Sequence, residues 1–231
     1  MIVGRGLLAN SLKFRDETSY LFYANGISNS VIDQIPSNNF EINEITDIAE
    51  TIGERTFIYF STSQVNSKTN LNRPYVKHKL FIENLIVSRF SKYLIIRTSN
   101  LVGNNLWNEH TLFNFLFNSL LLNQKITINP LVTRNFLDVS DFVILLQTYL
   151  KNYHSNKIIE IVNPISFTMD QIINEFENYF EKKFIKKTGS EIIEFALFEL
   201  DTELSLELFA RCNISTHHYI PNLLSKYYVD K

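Results

Sequence analysis

Short apolar runs and amphipathic stretches alternate along most of this chain, and almost every run is followed by a stretch with helical spacing. Ile2-Val3 ends in Gly4-Arg5-Gly6-Leu7-Leu8-Ala9, after which Leu7, Leu8, Leu12 and Phe14 fall on one helical face. Tyr20 to Ala24 is a second run closed by Asn25-Gly26, and Phe40 to Ile52 carries Ile42, Ile45, Ile48, Ala49 and Ile52 at helical intervals. Thr56 to Phe60 and Tyr93 to Ile96 are strands on either side of a helix over Tyr75 to Phe90. Leu112 to Leu122, Ser140 to Tyr153 and Asp170 to Phe180 read as helices, and Ile158 to Val162 as a strand closed by Asn163-Pro164. This order predicts an α/β fold with a parallel sheet covered by helices on both faces.

With 231 residues and 45% hydrophobic content the chain can bury one sizeable core, which excludes disorder and fibrous architectures. The 22 basic and 24 acidic residues leave a net charge of -2, so no long-range field exists to draw in nucleic acid or an anionic membrane. Any anion is expected to be held by local donors. The single cysteine, Cys212, cannot form an intrachain disulfide, which suits a reducing, cytoplasmic setting. Met1 to Gly4 has no basic leader, and Leu112 to Leu122 is too short, and too interrupted by Asn114 and Asn118, to cross a bilayer.

Two motifs carry chemistry. Gly4-x-Gly6-x-x-Ala9 sits between a strand and a helix, where small residues let the backbone approach a pyrophosphate and the helix start offers unpaired N–H groups. The alternative is a tight turn with no ligand. The acid that usually follows on the next strand to hold an adenosine ribose is missing, because that strand ends Tyr23-Ala24-Asn25-Gly26. Tyr75 and Lys79 lie four apart on one helical face, where an ammonium near a phenol favours the phenolate and makes Tyr75 an acid or base toward a carbinol or ketone. Tyr153/Lys157, Tyr179/Lys183 and Tyr227/Lys231 share that spacing but lack the preceding strand end Ser61-Thr62-Ser63, and they read as solvated pairs.

Six pieces in order make the chain resemble the extended short-chain dehydrogenase/reductases that act on nucleotide sugars: Gly4 to Ala9, Phe60 to Val65, Pro74-Tyr75-Val76-Lys77-His78-Lys79, Ile96 to Gly103, Arg134 to Asp141, and Ile161-Val162-Asn163. The resemblance implies a Rossmann-like sheet that binds NAD or NADP. Over residues 1–163 it implies the cofactor domain, with 104–128 contributing to a small substrate lobe built from 164–231. Thr62, Tyr75 and Lys79 would be catalytic; Gly4, Arg5, Gly6, Leu7, Leu8, Ala9, Ala24 and Asn25 would line the cofactor together with Lys79; Asn100 and Arg134 would hold a nucleotide-sugar substrate. A guanidinium at 134 suits a diphosphate. The family also implies a homodimer and a place in surface polysaccharide synthesis.

The chain departs from that pattern in two places. Tyr20 to Ser30 looks like the family's fourth strand rather than its second, which predicts a sheet trimmed on the adenosine side. Thr62 is followed by Ser63-Gln64, whereas dehydratases carry Asp-Glu there, so 4-keto reduction or 4-epimerisation is favoured over dehydration. A non-catalytic module binding a nucleotide or sugar nucleotide is the alternative, and retention of Thr62, Tyr75 and Lys79 together argues against it. NAD against NADP stays open, with Arg5 and Arg15 near the glycine turn. No metal is expected, since His217 and His218 would point to opposite faces of a strand and no second cysteine lies at ligand spacing. Ser61 to Ser63 lacks a nucleophile elbow, and Phe113, Phe115 and Phe117 with Trp107 read as lobe core or subunit contact.

Overall fold

Alternation within each strand decides which layer its side chains join. The computed structural model describes residues 1–12, 18–28, 40–67, 70–104, 111–152, 156–189 and 200–228; Phe14, Arg15, Trp107, Tyr153 and Lys231 lie outside them. In chain order the first half comprises β1 (Ile2–Val3), α1 (Leu7–Leu12), β2 (Tyr20–Tyr23), α2 (Phe40–Thr51), β3 (Thr56–Thr62), a single 3-10 turn (Ser63–Asn66), α3 (Pro74–Arg89) and β4 (Tyr93–Thr98). Then follow β5 (Asn100–Val102), α4 (Leu112–Leu121), β6 (Lys125–Ile128), β7 (Thr133–Arg134), β8 (Phe136–Asp138), α5 (Val139–Leu150) and β9 (Lys157–Ile161). The chain closes with β10 (Phe167–Thr168), α6 (Met169–Tyr179), β11 (Ile185–Thr188), α7 (Glu203–Arg211) and α8 (Tyr219–Tyr227).

The central sheet has five parallel strands in the order β1-β2-β3-β4-β9. Leu21, Tyr23, Phe57, Tyr59 and Ile95 point to one face, where Ile45 of α2 and Ile82 and Ile86 of α3 cover them. Phe22, Ile58, Phe60, Leu94 and Ile96 point to the other and join a larger core with Leu12 of α1, Phe142 and Leu146 of α5, Phe113 of α4, Phe176 of α6 and Leu224 of α8. Period-two alternation in three adjacent strands thus builds both layers.

The order has a topological consequence. From β2 to β4 the chain steps across the sheet with α2 and α3 on one face, whereas β1 to β2 steps the same way with α1 on the other. The β1–α1–β2 unit therefore has the opposite hand to the two that follow, against a strong preference for right-handed crossovers. In the doubly wound order 3-2-1-4-5-6 the first helix runs outward from strand 1, and strand 1 is interior. Here β1 is the edge, as expected if the outer strands are gone and α1 has kept its face.

Local chemistry sets the helix ends near the cleft. α3 starts with Pro74 in its first turn, where a missing N–H costs nothing, after Arg73 in extended geometry. α6 opens with a capping box in which Thr168 accepts from the Gln171 backbone and the Gln171 side chain reaches back. Among the described residues no helix is long and apolar enough to cross a membrane.

Candidate active site

A cleft of about 990 Å³ opens where β1 to β4 end, the position at which open α/β sheets take ligands. Its walls come from the turn at Gly6-Leu7-Leu8, from Ala24 and Asn25 after β2, and from Thr62, Tyr75 and Lys79 across the floor; Asn100, Thr133 and Arg134 close the far side. Among the described residues no aspartate or glutamate lines it, while Lys79, Arg73 and Arg134 do. Arg73 and Arg134 put positive charge on one wall, in a chain of net charge -2. Every residue that the sequence assigned to catalysis or substrate binding lines it, as do Gly6, Leu7, Leu8, Ala24 and Asn25; Gly4, Arg5 and the buried Ala9 do not.

Gly4 supports the turn from behind. Its φ is +131°, and a methyl group there would lie 2.5 Å from the Ala24 carbonyl oxygen, so β1 and β2 can end side by side only with glycine at this position. At Gly6 the opposite holds, because a Cβ would meet nothing within 4 Å and would project into open space. The two glycines of one motif thus serve packing and access separately.

Thr62 is the last residue of β3 and caps the 3-10 turn, its hydroxyl oxygen accepting from the Gln64 backbone N–H at 3.2 Å. Tyr75, in the first turn of α3, is buried and hydrogen-bonded to Thr62. Burial pushes the Tyr75 phenol up, the Thr62 hydrogen bond opposes this and the Glu41 charge adds to it, leaving it at about 12. The sequence expectation that Lys79 lowers it does not hold in this state. The reason is geometric: the Lys79 ammonium donates to the Tyr59 hydroxyl at 2.8 Å and lies 3.6 Å from Glu41 Oε1, with its nitrogen 5.9 Å from the Tyr75 ring centre. Burial draws the Lys79 pKa down while Glu41 and Glu83 hold it up.

Glu41 is the residue that sequence reasoning missed. It enters from the first turn of α2, buried, and its carboxylate accepts from Tyr59 Oη at 2.7 Å and the Ile27 backbone N–H at 3.0 Å, with His78 Nε2 at 2.8 Å. Burial opposes its charge, but His78, Lys79, the Ile27 amide and Tyr59 outweigh that and hold the carboxyl down at about 2. Beside it, Glu44 accepts from Tyr23 Oη at 2.6 Å and from the Asn25 amide at 3.0 Å, which fixes Asn25 at the cleft edge.

On the substrate side, Asn100 donates to the Asn135 carbonyl at 3.0 Å, and Asn135 in turn donates to the carbonyls of Asn163 and Ile165. Arg134 sits on β7, which pairs antiparallel with β10, and among the described residues its guanidinium has one hydrogen bond, to the Thr133 carbonyl. Burial and then the charge of Arg73 lower its pKa, so two cations share this wall. Gln64 Oε1, Thr98 Oγ1 and Ser99 Oγ are buried without a hydrogen-bond partner among the described residues, and all three residues line the cleft.

His217 and His218 lie in the turn before α8, not in a strand, and their rings are 4.6 Å apart because His218 turns the chain through φ +50°. Among the described residues no group of three metal-ligating side chains exists. Phe113 and Phe117 are buried core, whereas Phe115 is half-exposed at the cleft.

No protein-family model matches the chain, and no curated protein matches it significantly. Solved structures do. A UDP-glucuronic acid 4-epimerase from Bacillus cereus, in complex with UDP-glucuronic acid and NAD, is 17% identical with a TM-score of 0.70 over 97% of this chain and 77% of its own. A UDP-glucose 4-epimerase from Thermotoga maritima, with UDP-glucose, is 15% identical with a TM-score of 0.60 over 80% of this chain and 69% of its own. RMD from Pseudomonas aeruginosa, complexed with NADPH, is 14% identical with a TM-score of 0.61 over 74% and 67%. The chain has the Rossmann-like fold of nucleotide-sugar epimerases.

Proposed function

We propose that this protein is an NAD(P)-dependent oxidoreductase or epimerase acting on a nucleotide-activated sugar. The observation that carries the proposal is the convergence of Thr62, Tyr75 and Lys79 on the floor of one cleft, between a glycine turn on one side and Arg134 on the other. The residues fit a nicotinamide dinucleotide. The open space at Gly6 is a cradle that a side chain would fill, and the buried oxygens of Gln64, Thr98 and Ser99 have no hydrogen-bond partner among the described residues. Gly6, Leu7, Leu8, Ala24, Asn25 and Lys79 would hold the dinucleotide, which when bound supplies or accepts the hydride.

Toward a keto sugar, Thr62 would orient the carbonyl oxygen and Tyr75 would hand it a proton as hydride reaches the carbon. With its phenol raised to about 12, Tyr75 carries its proton at neutral pH and can supply it in this step. Arg134, with Arg73 on the same wall, would meet the diphosphate with a fork of donors, and Asn100 would face the sugar. Ser63-Gln64 stand where dehydratases carry two carboxylates, which disfavours elimination of water. We take 4-keto reduction or 4-epimerisation, in surface polysaccharide synthesis, as the specific form.

The test is turnover: NADH or NADPH consumption with 4-keto nucleotide sugars, and interconversion of UDP-sugar epimers, in wild type and Tyr75→Phe. Turnover in the wild type that falls about 100-fold or more in the variant, with binding kept, supports the proposal. A wild type that binds sugar nucleotides and turns over none of them moves it to the non-catalytic module.

A further inference from the structure

Lys79 sits where an isolated ammonium would not stay charged. The side chains of Lys79 and Glu41 are 3% and 2% exposed, and a buried lysine without a counter-charge gives up its proton. Glu41 supplies that charge at 3.6 Å, and Tyr59 bridges the two, donating to Glu41 at 2.7 Å and accepting from Lys79 at 2.8 Å. The backbone closes over them at Gly26, where a Cβ would lie 2.7 Å from Glu41 Oε1 and 2.8 Å from Lys79 Nζ, so a side chain there would push the pair apart.

We propose that Glu41 is a positioning residue that keeps Lys79 an ammonium, fixed on the cleft floor beside Tyr75 by way of Tyr59. The motif holding Tyr75 and Lys79 is local to α3, whereas the carboxylate comes from α2 and the bridge from β3. Glu41 thereby sets the charge that a bound ligand meets. Among the described residues the other titratable groups around the pair are His78, Tyr75 and Glu83 on α3, Tyr23 on β2 and Glu44 on α2. Of these, Glu83 also favours the charged lysine, but it is engaged with Arg97 at 2.6 Å and with Ser61 at 2.6 Å. The effect on turnover rests on the oxidoreductase proposal above; the charge of Lys79 does not.

The experiment follows the Nζ resonance of Lys79 by nitrogen NMR in protein labelled on lysine, assigned by loss of the signal in Lys79→Met. In Glu41→Gln the deprotonation midpoint falls by about one pH unit or more, a tenfold loss of proton affinity. Tyr59→Phe, which keeps the carboxylate and removes the bridge, lowers it by less. In the same variants the alkaline limb of kcat moves to lower pH while KM for the sugar nucleotide changes little, which loss of packing alone would not produce. A folded Glu41→Gln protein with an unmoved Lys79 midpoint overturns the inference, and if that variant does not fold, an unmoved midpoint in Tyr59→Phe does so. Should the wild type turn over no nucleotide sugar, the oxidoreductase proposal fails while the NMR titration still judges Glu41.

Discussion

Replacing each glycine of the turn by alanine separates the fold from ligand access. Gly4→Ala puts a methyl group 2.5 Å from the Ala24 oxygen and 2.7 Å from its carbonyl carbon, atoms of backbone that cannot rotate away, at a φ of +131°. The strained conformation alone costs about 1–3 kcal/mol. Relief requires β1 to move off β2, and β1 holds on through two registered residues and backbone hydrogen bonds of 2.8 Å from Phe22 N to Met1 O and from Ala24 N to Val3 O. Losing one such bond adds about 1 kcal/mol. The sum, roughly 2–4 kcal/mol, corresponds to a melting temperature lower by roughly 4–16 °C in a chain of this length. Among the described residues Gly6→Ala meets no atom within 4 Å beyond its chain neighbours, so its melting curve stays at or above that of wild type. It should instead weaken dinucleotide binding by filling the cradle. Circular dichroism melts with and without cofactor read both effects. A Gly4→Ala melt superimposable on wild type refutes the packing argument, and undiminished cofactor affinity in Gly6→Ala refutes the cradle.

Other outcomes follow from single groups. Arg134→Ala weakens sugar-nucleotide affinity by roughly 10- to 100-fold, as expected for a charge-assisted bond of about 1.5–3 kcal/mol, and calorimetry with UDP alone shows whether the loss lies at the diphosphate. Glu160, on β9, accepts from Asn66 Nδ2 at 2.8 Å and the Asp201 backbone N–H at 3.1 Å, while its other oxygen is buried without a partner among the described residues. Burial raises its pKa to about 7, against the opposing hydrogen bonds and Arg97. The folded state therefore holds a proton that the unfolded chain has released, and stability falls as pH rises from about 4.5 to about 7. Melting temperatures at pH values across that window should show this slope in wild type and a flatter one in Glu160→Gln; equal slopes contradict it.

Strand and helix positions were legible because period-two and 3.6-residue patterns are local properties. α2, α3, α4 and α6 begin and end within a residue or so of the boundaries drawn from spacing, and β3 runs two residues further to include Ser61 and Thr62. The catalytic candidates were legible for a related reason: Tyr75 and Lys79 share a helix, and Thr62 ends the preceding strand. Glu41 was not, because it acts only where α2 meets α3 and β3, and nothing in Phe40-Glu41-Ile42 distinguishes it from a helix-opening acid. The direction of the Tyr75 shift escaped for the same reason. Spacing places a cation near a phenol, but the competing partner that turns the cation away is tertiary. The reversed hand at α1 is likewise invisible in periodicity, which fixes a helix and not the face it covers.

Binding of the dinucleotide is the claim on which the functional account depends, and calorimetric titration of the purified protein with NAD, NADH, NADP and NADPH tests it most directly. Saturable micromolar binding of one oxidised and reduced pair, lost in Gly6→Ala, is the predicted result; heats indistinguishable from dilution with all four would contradict the account.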